Sequence, residues 1–280
     1  WSDAFRRLQK NRAAMLGAFV MLLLFLASFL GPWIIRAVWG YTYDAQNLAY
    51  GAKPPTWTHW FGTDFYGRDV LTRVMYGGQI SLTVGILAAL VAATVGTVYG
   101  ALAGYMGGRA DGLMMRAVDI LYSLPYMFIV IVLVTLFGKD IRLLFLALGF
   151  VGWLMMARIV RGQVMSLKER DFVLAARSVG VRTPAILFRH LIRNTLGPIV
   201  VYFTLTVPAM ILQEAFLSFL GLGVQAPRPS LGALINDGAA QMVIFWWQLV
   251  FPGVVMALLL LSLNFLGDGL RDALDPQTKT

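Results

Sequence analysis

The sequence has no cysteine among its 280 residues. This absence excludes disulfide bonds, thiol catalysis and zinc sites built from thiolates. Charged residues are also scarce, because Asp, Glu, Lys and Arg together make up 13% of the chain, whereas soluble domains have roughly 25%. Hydrophobic residues make up 59%, and the mean hydropathy is +0.72. The composition therefore predicts an integral membrane protein.

Other absences narrow the class of function. No G-x-x-x-x-G-K-[ST] loop occurs, so any ATP chemistry must come from a partner. Ionisable residues are rare in the apolar runs, with Asp119 and Glu214 near the ends of two of them, and an ion-coupled carrier needs a buried relay of such groups. The two histidines, His59 and His190, lie on opposite sides of the predicted membrane. An ion-coupled carrier and a membrane-embedded enzyme are both disfavoured.

Six apolar runs are each near the roughly 17–25 residues that cross a bilayer as a helix. Pro125 interrupts the third run, and Gly31 with Pro32 is expected to close or kink the first. The predicted spans are 13–30, 80–105, 118–137, 141–156, 196–212 and 249–266.

The net charge of +9 is distributed unevenly along the chain. Most of the 23 Lys and Arg residues fall in the N-terminal segment, in the loop between spans two and three, in the stretch 158–198 and after span six. Cytoplasmic loops carry the excess of Lys and Arg. Both termini and the stretch 158–198 are therefore predicted to be cytoplasmic, and the charge reflects membrane topology and not nucleic-acid binding.

The polar stretch 158–198 has the pattern of two short helices joined by a turn. Asp171 is placed to cap the start of the first helix through its side chain. Gly180 is placed to end that helix, because glycine adopts the left-handed conformation at little cost. Thr183 and Pro184 suit the N-cap and first position of the second helix. A helix pair between two membrane spans predicts a docking platform on the membrane surface.

The first of these helices carries the features of a binding surface. Ala175 and Ala176 are small, which allows close approach by another protein, and Phe172 is the kind of bulky residue that dominates interface energies. The alternative is an interfacial helix that lies in the lipid headgroups. With one aromatic residue and two alanines, this helix is a poor membrane anchor, so partner docking is favoured.

Two further polar sites have open interpretations. Asp64, Arg68 and Asp69 form a charged turn, in which Asp64 or Asp69 is expected to cap an amphipathic helix ahead of span two, with substrate contact as the less favoured alternative. Glu214, expected just past span five, either lines an outer vestibule and meets a cationic group of a substrate or caps the turn that follows it.

Several motifs carry a resemblance to a known family. Leu174, Ala175 and Ala176 are followed after three residues by Gly180, which resembles the cytoplasmic E-A-A signature of permease subunits of ATP-binding-cassette importers, with Leu174 in place of Glu and Arg193 in place of the final Pro. The segments FGTDFYGRDVLTRVMYGGQISLTVG, AARSVGVRTPAILFRHLIRNTLGPIVV, EAFLSFLGLGVQAP and LNFLGDGLRDALDP are similar to the oligopeptide, dipeptide and nickel branch, and most of all to its C-type oligopeptide permease.

This resemblance implies an all-α integral membrane fold with six transmembrane helices of the type I importer architecture and a cytoplasmic coupling-helix loop between spans four and five. It divides the chain into a cytoplasmic N-terminal segment (1–12), the first span with a long periplasmic loop (13–77), the permease domain (78–267) with its coupling loop (158–195), and a cytoplasmic tail (268–280).

The resemblance also implies a function and partners. The chain would form half of the pathway of an oligopeptide importer in the inner membrane of a bacterium, with dipeptides, nickel, glutathione or another small solute as alternative cargo. Its partners would be a second permease, two cytoplasmic ATPases, an extracytoplasmic peptide-binding protein and membrane lipid. ATP and Mg would be bound by the ATPases, and this chain would bind no cofactor. The residues implied for ATPase docking are Phe172, Leu174, Ala175, Ala176 and Gly180, and Glu214 is a candidate for the substrate pathway.

Overall fold

The protein is a bundle of long helices in the computed structural model, which describes residues 2–138 and 140–274. Within these residues, the β-structure is one isolated bridge between Thr63 and Asp69. Five helices are long and apolar enough to cross a membrane, and the count rises to six if a bent pair forms one span. The all-α membrane fold is confirmed. The helices are α1 (Ser2–Lys10), α2 (Arg12–Trp39), α3 (Val70–Met106), α4 (Gly108–Ser123), α5 (Tyr126–Phe137), α6 (Ile141–Leu167), α7 (Asp171–Ser178), α8 (Thr183–Ala185), a π-helical segment (Ile186–Ile192), α9 (Arg193–Phe219), α10 (Leu231–Ala240) and α11 (Trp247–Leu274).

The first membrane helix, α2, is longer than predicted. Asn11 caps its start, since its side-chain oxygen accepts a hydrogen bond from the Ala14 N–H at 3.2 Å. The helix continues through Pro32 and ends at Gly40, which has a left-handed backbone with φ of 73°. Of the two outcomes predicted for Gly31 and Pro32, closing the span is wrong, and a kink within the helix stays a prediction. Proline is tolerated inside membrane helices because neighbouring groups can satisfy the freed carbonyl.

The centre of the bundle is the parallel pair α3 and α6. Glycines recur every fourth residue on α3, at Gly96, Gly100 and Gly104, and each faces the backbone of α6. A Cβ atom at Gly100 would meet the carbonyl oxygen of Ala157. Small residues at this spacing let two membrane helices approach closely. The glycine row was visible in the sequence but was not used to predict this packing.

The predicted third span corresponds to the bent pair α4 and α5, whose axes meet at 83°. Leu124 between them is extended, with ψ of 140°, as expected for a residue before proline. The interruption predicted at Pro125 is confirmed. Helix α4 begins ten residues before the predicted span, at Gly108.

Two other predicted boundaries are corrected, and one helix was not predicted. The second helix of the polar stretch is not separate, because α8 and the π-helical segment run directly into α9. Helix α11 extends unbroken to Leu274, past the predicted end of span six at residue 266. Helix α10, capped by Ser230, was not predicted at all. It packs between α9, α11 and the start of α3.

Candidate functional site

Helix α7 is the element that the sequence predicted for docking, and the structure confirms its end. Gly180 has φ of 82°. Its N–H donates to the Arg177 carbonyl at 2.9 Å, and the Val181 N–H donates to the Ala176 carbonyl at 3.0 Å. These two bonds form a Schellman motif, in which a left-handed residue lets the chain turn while the last carbonyls stay satisfied.

The predicted start of each short helix is displaced by one residue. Arg170 holds the N-cap position of α7, and Asp171 is its first helical residue. Arg182 likewise precedes α8, which begins at Thr183 with Pro184 second. The prediction that Asp171 and Thr183 are N-caps is therefore wrong. Asp171 still lies in the first turn, where a negative charge is favourable to the helix dipole.

One side of α7 packs onto its own chain. Val173 is fully buried and lies in an apolar cluster with Ile186, Leu187 and Leu191. Ala176 is half-buried against the same cluster. The Arg177 guanidinium lies 5.2 Å from the ring centre of Tyr105, near the end of α3. The inward side of α7 therefore packs against the end of α3 and against the π-helical segment that leads into α9.

The other side of α7 is exposed and carries apolar side chains together with the polar Asp171 and Ser178. Phe172 is 40% exposed, Leu174 44% and Val179 84%, and Ala175 is also exposed. The sequence interpretation placed both alanines on one binding surface. They do not share a face, because consecutive residues on a helix point about 100° apart. Ala175 belongs to the exposed face and Ala176 to the packed one. An uncovered apolar strip of this kind indicates a binding surface.

Polar contacts tie the end of α6, from which α7 follows, to its neighbours. Arg161 donates two hydrogen bonds to Asp111 on α4, at 2.5 and 2.6 Å. The Lys168 ammonium donates to the Gly104 carbonyl at the end of α3, at 3.0 Å. Bidentate Arg–carboxylate pairs fix geometry more firmly than single contacts. These contacts join the end of α6 to α4 and to the end of α3.

A large cavity of about 960 Å³ opens between α4, α5, α6 and α9. Its walls are mostly apolar and aromatic, with Tyr126 held by a hydrogen bond from its hydroxyl to the Leu148 carbonyl at 3.0 Å. Gln213 contributes a buried side-chain oxygen that has no hydrogen-bond partner within the described residues. No sequence pattern predicts this cavity, because its walls come from segments far apart in the chain.

Glu214 lies inside α9 and is fully buried, so its predicted place beyond the span is corrected. Its carboxylate accepts hydrogen bonds from Ser81 at 2.9 Å and from Ser218 at 2.8 Å. Ser81 also accepts from the Leu231 N–H at 3.2 Å, at the start of α10. Glu214 thus faces other elements of the chain and not the large cavity, and this geometry gives no support to a direct contact with a substrate.

The charged turn before α3 has the predicted capping role. The Asp69 side chain accepts from the Thr72 N–H at 2.8 Å and holds His59 by a 2.8 Å contact. The helix that it caps is α3 itself, so the separate amphipathic helix expected ahead of span two is wrong. In residues 2–138 and 140–274, no group of three or more His, Asp or Glu side chains is placed to hold a metal ion.

Comparison with known proteins identifies two family matches. Residues 96–280 match the family described as binding-protein-dependent transport system inner membrane component. Residues 1–55 match the N-terminal transmembrane domain of oligopeptide transport permease C.

Relatives resemble the chain along its whole length. The oligopeptide transport system permease protein of Escherichia coli K12 is 51% identical over 281 residues, covering 100% of this chain and 92% of that protein. The dipeptide transport system permease protein of Bacillus subtilis is 48% identical over 279 residues, covering 99% and 86%. The glutathione transport system permease protein of an Escherichia coli O6 strain is 40% identical over 279 residues, covering 100% and 91%.

Proposed function

The chain belongs to the family of binding-protein-dependent transport system inner membrane components, and we propose that it is a permease subunit of an ATP-driven oligopeptide importer. The cargo follows from the relative that is named for oligopeptide transport and is 51% identical. Dipeptides and glutathione are the alternative cargo, because other relatives are named for the transport of these solutes. The chain itself performs no catalysis and binds no cofactor, and partner ATPases hold ATP and Mg.

The observation that supports this role most directly is the exposed apolar face of α7. Phe172, Leu174, Ala175 and Val179 are exposed on a helix whose other side is packed. In the proposed importer a cytoplasmic ATPase covers this face. Ala175 allows the partner backbone to approach, while Phe172 supplies an anchoring side chain of the kind that concentrates binding energy. Ala176 and Gly180 act indirectly, since they set the packing and the end of the helix.

Movement of the ATPase would reach the membrane through the packed side of α7. Val173 links α7 to the start of the α9 helix, and the Arg161–Asp111 pair links the end of α6 to α4. ATP-driven closure of the ATPases then favours one arrangement of the spans over another, because the ATPase contacts differ between the two states.

The cavity of about 960 Å³ between α4, α5, α6 and α9 forms this chain's half of the translocation pathway. A second, homologous permease covers its open side. The apolar and aromatic walls suit peptides of varied sequence, so selectivity lies with the extracytoplasmic binding protein that delivers them. Glu214 serves this pathway as a positioning residue that joins α9 to α3 and α10.

The proposed arrangement in the membrane follows from the distribution of Lys and Arg. Both termini and α7 face the cytoplasm, and the loop between α2 and α3 faces the periplasm, in the inner membrane of a bacterium. The segments are 1–12, 13–77, 78–267 with its coupling loop 158–195, and 268–280.

The test replaces Ala175 by tryptophan in the complete importer. Ala175→Trp places a bulky side chain where close approach is proposed, and peptide-stimulated ATP hydrolysis is expected to fall roughly tenfold or more, as for a disrupted interface centre. Ala13→Trp is the matched control, because Ala13 is also exposed on a helix but lies outside the proposed docking surface. The measurement is vanadate-sensitive ATP hydrolysis by the purified complex with binding protein and peptide.

Two results would decide against the proposal. Normal coupling in Ala175→Trp would remove the docking role of α7. If no ATPase accompanied the wild-type chain through gentle extraction, an importer subunit would be excluded and a carrier or membrane enzyme would return as the interpretation.

A further inference from the structure

A cluster of positive charge lies where α1 meets α2. Arg6, Arg7, Lys10 and Arg12 fall within seven consecutive residues. The two helices are separated by Asn11, whose backbone is extended. Arg7 is half-buried, whereas Arg6, Lys10 and Arg12 are exposed. We call these three exposed residues the junction cluster, and neither the proposed docking surface nor the proposed pathway uses them.

Arg12 stands at the end of an exposed apolar stripe on α2. Leu16 is 60% exposed, Phe19 58% and Leu23 50%. Together with Arg12 they follow the spacing of one helix face, on a helix that is apolar enough to cross a membrane. The apolar face of a span contacts lipid chains or another span, and a basic residue at its end extends to the headgroup level. Arg12 therefore lies at the level of the lipid phosphates.

The junction cluster points away from α11, the helix that both α1 and α2 pack against. A Cβ atom at Gly269 of α11 would meet Leu8 of α1 and Ala14 of α2, so these two residues face α11. Each residue of the junction cluster is two positions from Leu8 or from Ala14. Two positions along a helix correspond to a rotation of roughly 200°. The three basic side chains therefore project from the opposite side of their helices.

The acidic residues of this region leave the junction cluster unpaired. Asp268 and Asp272 are exposed on α11, on the side from which the cluster points away, and Arg271 lies between them. Asp3 is the one acidic residue among the first twelve, which include four basic ones. In the described part of the chain, the junction cluster takes part in no ion pair. Its charge is therefore available to an anion from outside the chain.

We propose that the junction cluster binds the phosphate group of an anionic phospholipid, phosphatidylglycerol, in the cytoplasmic leaflet. Basic clusters immediately cytoplasmic of a span attract anionic lipids. Phe5, which is 61% exposed, places a bulky apolar side chain beside the cluster, and this combination is typical of a helix at a lipid surface. The inference rests on the proposed topology, with Arg12 at the cytoplasmic end of α2, and does not depend on the cargo.

The test uses the absence of cysteine from the chain. Gln9→Cys, at an exposed position of α1, attaches one fluorophore beside the junction cluster. The full chain in phosphatidylcholine nanodiscs is titrated with phosphatidylglycerol or phosphatidylcholine that carries a nitroxide quencher on an acyl chain. The mole fraction for half-maximal quenching is expected to be about tenfold or more lower for phosphatidylglycerol, because each basic residue near the surface contributes roughly fivefold.

Two variants at the ends of the same helix make this test specific to the site. Lys10→Gln combined with Arg12→Gln removes two charges of the junction cluster, and the preference for phosphatidylglycerol should fall at least about fivefold. Arg36→Gln is the matched control. Arg36 is exposed near the other end of α2 and is the single basic residue between Arg12 and Lys53, so its variant should keep the preference of the wild type.

Three results would reject the site. Equal half-maximal fractions for the two lipids would show contact with the membrane without recognition of charge. Absence of quenching by either lipid would place α1 against protein. An equal loss of preference in Arg36→Gln would show a general attraction of the chain for anionic lipid.

Failure of the site is distinguishable from failure of the proposed function, because the titration contains neither ATP nor peptide. ATP-driven peptide uptake by the importer without a preference for phosphatidylglycerol at α1 would reject the site alone. A preference that depends on Lys10 and Arg12, in a chain whose complex shows no ATP-driven uptake, would support the site and reject the importer.

Discussion

The two ends of the bundle differ in which unusual side chains they carry: one end exposes apolar residues, and the other buries charged ones. At the α7 end, apolar residues such as Leu174 and Val179 are exposed. At the other end, the charged residues Asp64, Arg68 and Arg73 are buried, and a buried carboxylate, Glu214, bonds to serines nearby. An exposed apolar face is stable when a partner covers it, whereas buried polar groups are stable when the chain itself supplies their bonds. In the proposed importer the α7 end therefore depends on a partner, whereas most of the buried polar groups at the opposite end are bonded within the chain.

The largest expected effect comes from removing the Glu214 side chain, which tests whether buried polar bonds stabilise the end opposite α7. Glu214→Ala leaves Ser81 and Ser218 without their acceptor and opens a cavity at the junction of α3, α9 and α10. We expect a loss of roughly 3 kcal/mol in the free energy of unfolding, as for a disrupted buried polar network. Thermal unfolding of the purified protein in detergent measures it.

Glu214→Gln is the control for that experiment, because glutamine keeps the size of the side chain and can bond both serines. It should unfold close to wild type. If Glu214→Ala were as stable as Glu214→Gln, the buried network would not hold this end together.

The same substitution, valine to alanine, at two positions of the α7 region tests the difference between its packed and exposed sides. Val173 is fully buried, whereas Val179 is 84% exposed. Val173→Ala should lower the free energy of unfolding by about 1–3 kcal/mol, because it leaves a cavity. Val179→Ala should leave the stability of the isolated chain within about 0.5 kcal/mol of wild type and weaken ATPase binding about fivefold.

Unfolding of the isolated chain and ATPase retention during purification separate these effects. Equal loss of stability in both valine variants would mean that the exposed side of α7 also packs within the chain. Full retention of the ATPase by Val179→Ala would place the docking contact elsewhere on the helix.

The smallest expected effect concerns Asp237, which lies on α10 near Arg73 and Arg68. Burial raises the pKa of Asp237, and the nearby Arg73 and Arg68 oppose the rise while Asp64 adds to it. A carboxyl whose pKa is higher in the folded state binds its proton more tightly there. The free energy of unfolding therefore falls as pH rises from the ordinary pKa of Asp to the raised one.

Asp237→Asn removes this titration, so the variant should gain stability relative to wild type as pH rises from 4 to 7. The gain should be small, because the side chain remains exposed in part. Melting temperatures across this pH range test it. A wild-type advantage that grew with pH would show that attraction to Arg73 and Arg68 outweighs the cost of burial.

The sequence was sufficient to predict the spans but not their ends. Hydropathy identifies residues that are apolar enough to lie in the hydrocarbon core of the bilayer, and it predicted a span within each long helix. It started α3 at residue 80, whereas the helix begins at Val70, because the polar first turns of α3 are stabilised by Asp69 and by packing at the end of the bundle. Helix α10 was missed for a related reason, since its ten residues are too few to cross a membrane.

The position of α7, the proposed docking element, was predicted from the sequence, but the orientation of its two sides was not. The spacing from Ala175 to Gly180 located α7 and its end, because capping by glycine is a local property of the backbone. The exposed and packed sides were not predictable in this way. Whether Ala176 or Ala175 faces outward depends on where Ile186 and Leu191 lie, and that depends on how the chain folds back after the turn.

Local and compositional properties were thus determined by the sequence alone: the membrane class, the number of spans, the distribution of positive charge and the glycine that ends α7. These depend on residues that are neighbours in the chain or on the bilayer as solvent. The tertiary structure decided the rest, including the hydrogen bond from Ser81 to Glu214, the Arg161–Asp111 pair and the cavity between α4, α5, α6 and α9. Such features join segments that are far apart in the chain, so they exist only after the helices have packed, and no local pattern specifies which distant residues will meet.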